Sequence, residues 1–141
     1  MHTRRTKSLV FAIDFDGTCV THEFPEVGRD IGAVPVLKEL VDAGHRLVLW
    51  TMRSDTELPG KEPLTAAVKW FADNDIPLFG IQRNPEQDSW TTSPKACAQI
   101  YIDDAALGCP LIPGNEGERP YVDWAEVRRL LVEVYGALPV K

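Results

Sequence analysis

The sequence predicts an α/β protein, a three-layer, doubly wound parallel sheet in a single domain. Three observations carry this. Short apolar runs, Leu9–Ile13 and Arg46–Trp50, alternate with stretches of helical period. These runs are apolar on consecutive residues, as in strands buried on both faces. Polar, chemistry-bearing residues stand where the runs end: Asp14 and Asp16, Thr51, and Asp103 with Asp104.

Leu9-Val10-Phe11-Ala12-Ile13 is the first strand, and Asp14-Phe15-Asp16-Gly17-Thr18 follows it directly. Gly17 supplies a tight turn and Thr18 a local hydrogen-bonding group. Cys19 to Gly32 reads as a polar loop. A helix fits Val34 to Ala43, with Pro35 in its first turn and Gly44 as its stop. The second strand is Arg46 to Trp50, with Thr51 at its end. After a loop containing Pro59 and Gly60, a second helix fits Glu62 to Asn74, with Leu64, Ala67, Val68 and Phe71 on one face. Pro77 to Ile81 reads as a short strand, and Arg83 to Thr92 as irregular loop. Ala96 to Ile102 leads into a strand ending at Asp103-Asp104. Cys109 to Ile112 reads as a weak fifth strand whose Pro110 points to an edge. Asp123 to Tyr135 closes the chain as an amphipathic helix, its start marked within Val122 to Glu126. No repeat, linker or low-complexity segment interrupts the pattern.

Bulk properties bound the function. The chain has 141 residues, 44% of them hydrophobic, enough for one domain over residues 8–141. Residues 1–7 form a small basic tail, Arg4-Arg5-Thr6-Lys7. The net charge of −6 argues against non-specific nucleic-acid binding. The apolar run behind the tail is too short for a signal-peptide core, and no stretch is long enough to span a membrane. Cys19, Cys97 and Cys109 form no CxxC pair, which suits a reducing cytoplasm and gives no zinc signature. His2, His22 and His45 are scattered and read as surface or turn residues. The tryptophans, Trp50, Trp70, Trp90 and Trp124, read as core or loop packing.

In parallel sheets the site lies outside the carboxyl ends of the strands. Four carboxylates gathered there repel one another, each pair about 4 Å apart costing about 4 kcal/mol at an effective dielectric of ~20. A divalent cation relieves this, and carboxylate, carbonyl and water ligands suit Mg²⁺. A calcium loop counted from Asp14 fails, because Cys19 and Pro25 stand where Gly and Glu are needed. With Mg²⁺ the same groups suit phosphoryl transfer. Asp14 is the candidate nucleophile, forming an aspartyl-phosphate. Asp16 is the candidate acid and base. Thr51 offers a hydroxyl to a phosphoryl oxygen, and Lys95 a positive charge to the transferring group and to Asp14. Asp103 would ligate the metal, with Asp104 as ligand or through water. Arg53 is a candidate phosphate or substrate contact, set against a plain surface arginine.

Asp14-Phe15-Asp16-Gly17-Thr18, Thr51 after an apolar strand, Lys95, and Asp103-Asp104 after another strand resemble, in order, the four motifs of the haloacid dehalogenase superfamily. The resemblance implies a Rossmann-like core and an Mg²⁺-dependent phosphohydrolase. In that family the metal is held by the first Asp, here Asp14, the carbonyl of the second, here Asp16, and an Asp of the last motif. The presence of Asp16 resembles the phosphatase branches rather than the dehalogenases. The family inserts cap domains after the first strand or between the second and third motifs. Here about thirty and about forty residues separate the motifs, which ordinary βα connections use up. The chain therefore resembles a capless member, its site open unless His22 to Arg29 or a neighbouring subunit covers it. Capless relatives act on macromolecules or oligomerise. That leaves open a phosphorylated small molecule, a macromolecule (nucleic acid only as substrate) or a homo-oligomer. A catalytically silent phosphate- or metal-binding module on the same fold is the alternative function. A receiver-like signalling domain is disfavoured, since the third strand ends near Gly80-Ile81 without an Asp.

Overall fold

Strand residues of this chain turn alternate side chains to opposite faces, and that alternation divides the core. The computed structural model describes residues 7–140; the basic tail lies outside them except for Lys7. In order, the elements are β1 (Val10–Ile13), α1 (Ala33–Asp42), β2 (Arg46–Leu49), α2 (Pro63–Asp73), β3 (Gly80–Ile81), a 3₁₀ turn (Pro85–Ser89), β4 (Ile100–Ile102), β5 (Leu111–Ile112), β6 (Tyr121–Val122) and α3 (Trp124–Glu133). Four strands form one parallel sheet in the order β3-β2-β1-β4. A parallel sheet flanked by helices is an α/β fold. No helix among the described residues is long and apolar enough to cross a membrane.

The two faces are covered by different material. Phe11 and Ile13 of β1, Leu47 and Leu49 of β2 and Ile102 of β4 share one apolar cluster with Leu37 and Leu40 of α1, Phe71 of α2, and Val127 and Leu131 of α3. All three α-helices thus bury their apolar stripes on the same face. The opposite face carries a small cluster of Val10, Val48 and Ala96, with Trp50, Phe79 and Ala98 against it. Its cover is the crossover from β3 to β4. That segment is more ordered than the irregular loop expected over Arg83 to Thr92. Asn84 caps the 3₁₀ turn by accepting from the Glu86 N–H at 2.9 Å. Gln87, buried, donates to the carbonyls of Ser93 and Lys95 and accepts from the Cys97 N–H at 2.7 Å.

The expected fifth strand does not join the sheet. Only Leu111 and Ile112 are extended, and they pair antiparallel with Tyr121 and Val122 in a separate ribbon. Pro110 removes a donor that a ladder would need, and the loop behind it turns the chain back on itself. The ribbon docks on the loop after β1, where the Val122 N–H donates to the Gly17 carbonyl at 3.0 Å. Asp123 caps α3 by accepting from the Glu126 N–H, as the sequence around its start suggests. His45, expected at the surface or in a turn, is buried. Its Nδ1 accepts from the Leu9 N–H and its Nε2 donates to the Ala137 carbonyl at 2.7 Å.

Candidate active site

Strand register brings the polar strand ends together. The Asp14 N–H donates to the Ile102 carbonyl at 3.0 Å, and the Trp50 N–H to the Ile13 carbonyl at 2.8 Å. Asp14 therefore stands beside Asp103 on one flank and Trp50-Thr51 on the other. One oxygen from each of Asp14, Asp103 and Asp104 falls within 4.8 Å of the others. Thr18, fully buried, ties the first and last of these loops. Its hydroxyl donates to Asp14 Oδ2 at 2.9 Å and accepts from the Asp104 N–H at 3.0 Å. The Asp103 carboxylate accepts from the Ala105 N–H at 2.8 Å, closing the turn after β4.

The electrostatics of the cluster are unfavourable to charge. Burial pushes the Asp14 carboxyl up from 3.8 to about 8, helped by a hydrogen bond with Asp104 and the negative charge of Asp103. Thr18 and the Phe15 N–H oppose this in part. The donor set is three carboxylates, hard oxygen ligands of the kind Mg²⁺ takes. The Asp16 carboxylate is not part of it and is held instead by Arg53.

Arg53 is neither a substrate contact nor a surface residue. It is 2% exposed, and all five of its guanidinium hydrogens are used. Nε and one terminal nitrogen grip the two oxygens of Asp16 at 2.9 and 2.8 Å. The remaining hydrogens go to the carbonyls of Pro25, Glu26 and Pro63 at 3.1, 2.7 and 3.0 Å. The rings of Phe15 and Phe24 lie 4.9 and 5.3 Å from the guanidinium carbon. This clamp fastens the loop His22 to Arg29 beside the site.

Thr51 is placed as the sequence suggests, at the end of β2. Its hydroxyl accepts from the Arg53 N–H at 3.1 Å, which leaves its own hydrogen to donate outward. Lys95 is not brought to the cluster. It makes no ion pair with any of the four aspartates among the described residues, and its ammonium lies 5.5 Å from the Tyr101 ring centroid. The segment before β4 follows the far face of the sheet, anchored by Gln87, and carries Lys95 with it.

Three residues in the site escaped the sequence reading. His22, expected at the surface or in a turn, is half-buried with Nε2 2.9 Å from Asp104 Oδ2. Gly17 makes room for that contact: a Cβ there would sit 2.0 Å from His22 Nε2 and 2.6 Å from Asp104 Oδ2. Gln82, the residue after β3, donates to the Thr51 and Arg53 carbonyls and accepts from the Thr51 N–H at 2.9 Å. A polar residue ending an apolar strand is the signal that selected Thr51, and it applies to Gln82 as well. Trp124, read as packing, is buried and also donates its indole N–H to the Thr18 carbonyl at 2.7 Å.

The chain matches no protein-family model and no curated protein. Among solved structures it is similar to a conserved protein coded by a locus of Bacteroides thetaiotaomicron, with 29% identity and a TM-score of 0.70. The two share a fold. The match covers 96% of this chain and 100% of that one.

Proposed function

We propose that the protein is a capless, Mg²⁺-dependent phosphohydrolase on a Rossmann-like core of the haloacid dehalogenase type, acting through an aspartyl-phosphate on Asp14. The observation that supports this most is the convergence of Asp14, Asp103 and Asp104 at the carboxyl edge of the sheet, around the buried Thr18 hydroxyl. Burying the Asp14 carboxylate beside two further carboxylates is costly, and a bound cation would relieve that cost. Asp14, Asp103 and Asp104 would hold Mg²⁺. When bound, the ion supplies charge neutralisation for the cluster and for a phosphoryl group.

The chain's own residues divide the work. A carboxylate oxygen of Asp14 attacks phosphorus while the bond to the leaving oxygen breaks and its electron pair leaves with that oxygen. Thr51 donates its hydroxyl hydrogen to a non-bridging phosphoryl oxygen. Water then attacks the aspartyl-phosphate, and Asp16 accepts its proton. The phosphorus bond to Asp14 breaks, regenerating the carboxylate and releasing inorganic phosphate. Thr18 and Trp124 hold the nucleophile loop still during both steps.

Lys95 over Tyr101 favours a second reading, a silent metal-binding module, because no cation faces Asp14 from that segment. Turnover separates the two. The hydrolase reading expects release of phosphate from p-nitrophenyl phosphate with Mg²⁺, lost with EDTA and lost in Asp14→Asn. A rise in melting temperature with Mg²⁺ but no turnover of any phosphate compound would decide for the silent module.

A further inference from the structure

Phosphoryl transfer fixes where a leaving group must lie. The attacking and leaving oxygens stand roughly in line across phosphorus. Asp14 attacks from the end of β1, so the leaving group points away from the sheet, over the loops that follow the strands. Two residues of that rim are large, apolar and open to solvent. Met52 is 97% exposed and directly follows Thr51, the hydrogen-bond donor to the phosphoryl group in the reading above. Phe24, in the loop His22 to Arg29, is 53% exposed. Arg53 ties the two together. It is the next residue after Met52, its guanidinium carbon lies 5.3 Å from the centroid of the Phe24 ring, and it grips Asp16 beside the nucleophile.

The loop that carries Phe24 is held from below and at its neck. Arg53 donates to the Pro25 and Glu26 carbonyls at 3.1 and 2.7 Å. The Thr21 N–H donates to the Arg29 carbonyl at 3.1 Å, and the Arg29 N–H to the Thr21 hydroxyl at 3.1 Å. The neck is so close that a Cβ on Gly28 would lie 2.2 Å from the Thr21 carbonyl oxygen. A ring on such a loop is already in place, so covering it costs little further ordering. The polar groups of the same rim are spent within the protein. All five Arg53 hydrogens are engaged. The Lys61 ammonium donates to Glu26 at 3.0 Å, and the Ser54 and Thr56 hydroxyls both donate to Glu57, at 3.1 and 3.0 Å. What this side of the mouth offers a leaving group is apolar surface.

We propose that Phe24 and Met52 are specificity residues, a shelf that takes the leaving group of the substrate, and that the site acts on phosphate monoesters carried on a flat, largely apolar ring. This rests on the hydrolase reading above and names the substrate class for it. The phosphoryl group is held by Thr51 at the strand ends while the ring lies against Phe24 and the Met52 side chain, which closes over it. A small aliphatic ester reaches neither residue.

Two matched pairs of esters test it. Benzyl and ethyl phosphate release alcohols of similar acidity, and 2-naphthyl and phenyl phosphate release phenols of similar acidity, so within each pair the bond broken is alike and the ring differs. All four are assayed with Mg²⁺, with Asp14→Asn as blank. The expected result is a kcat/KM roughly tenfold higher for the member with the additional ring, the difference lying in KM. Met52→Ser and Phe24→Leu should each shrink that ratio; Phe24→Leu keeps an apolar cover on Arg53. A merely structural role would lower both members of a pair together and leave the ratio where it was. Ratios within about twofold of unity in the unmodified protein, with the esters cleaved, overturn the inference and leave the hydrolase standing. A ring preference that neither substitution changes overturns the assignment to Phe24 and Met52. Absence of turnover with every ester overturns both readings. Met52 stands in solvent, so Met52→Ser keeps the fold and decides the matter even if Phe24→Leu does not.

Discussion

Asp14 occupies surroundings that resist its own negative charge, and that has measurable consequences. With its carboxyl pushed up to about 8, the metal-free protein keeps a proton there that the unfolded chain releases near 3.8. Below that lower value the group is protonated in both states and contributes nothing. Between the two values only the unfolded chain ionises freely, so stability falls as pH rises through this window and levels off above it. Melting curves in EDTA should show that decline, and Asp14→Asn should flatten it while abolishing turnover. A variant that kept near-normal rates would remove the nucleophile from the mechanism. Gly17 is equally exacting: its φ is +78° and there is no room for a Cβ between it and the His22–Asp104 contact. Gly17→Ala should cut activity more than tenfold and lower stability by about 1–3 kcal/mol, the cost of local backbone strain. Arg53→Met should cost about 3–5 kcal/mol, because it strands the Asp16 charge beside the core.

At the scale of elements, α2 and α3 support the site from their first turns. No side chain at Glu62 caps α2. Asp55, in the loop beyond Arg53, reaches over and accepts from the Leu64 and Thr65 N–H groups at 2.8 and 3.1 Å. The Thr65 hydroxyl, followed by these two backbone bonds, holds the Asp55 carboxyl below its usual value. Its contribution is therefore present above the ordinary carboxylate range and lost as pH falls below it. Asp55→Ala should speed hydrogen exchange at Leu64 and Thr65 while leaving α1 and α3 amides unchanged. Trp124→Phe keeps most of the volume but strands the Thr18 carbonyl, a loss of about 1–3 kcal/mol. If phosphate release fell no further than that destabilisation explains, Trp124 would be packing alone. Strand ends and helix stripes were legible in the sequence because each depends on neighbours a few residues apart. Asp14, Thr51 and Asp103 were found by that local rule. The burial of Arg53 in a clamp was not legible, since its partners Asp16, Pro25, Glu26 and Pro63 come from three separate stretches of chain. Lys95 was placed by motif order, which says nothing about which face its segment follows.

For the whole molecule, the parallel sheet makes one edge chemical and leaves the rest structural. β1 lies between β2 and β4, so Asp14 is flanked by the Thr51 loop on one side and the Asp103-Asp104 loop on the other. The alternation of strands and helices announced this sheet. The crowding of α1, α2 and α3 onto one face was not legible, because the β3–β4 crossover is stabilised by Asn84 and Gln87 contacts with no sequence period. Metal binding should register globally. Mg²⁺ should raise the melting temperature, and by more at pH 8 than at pH 5, because Asp14 must shed its proton to become a ligand. An increment independent of pH, or absent, would place any Mg²⁺ elsewhere. The β5–β6 ribbon and the first residue of α3 are bonded to Gly17 and Thr18, at the other end of the chain. A polypeptide emerging from the ribosome thus presents the Asp14–Thr18 loop early but receives its last fastenings only when residue 124 has cleared the exit. Products of synthesis interrupted before residue 122 carry Asp14 without the Val122 and Trp124 bonds that brace its loop.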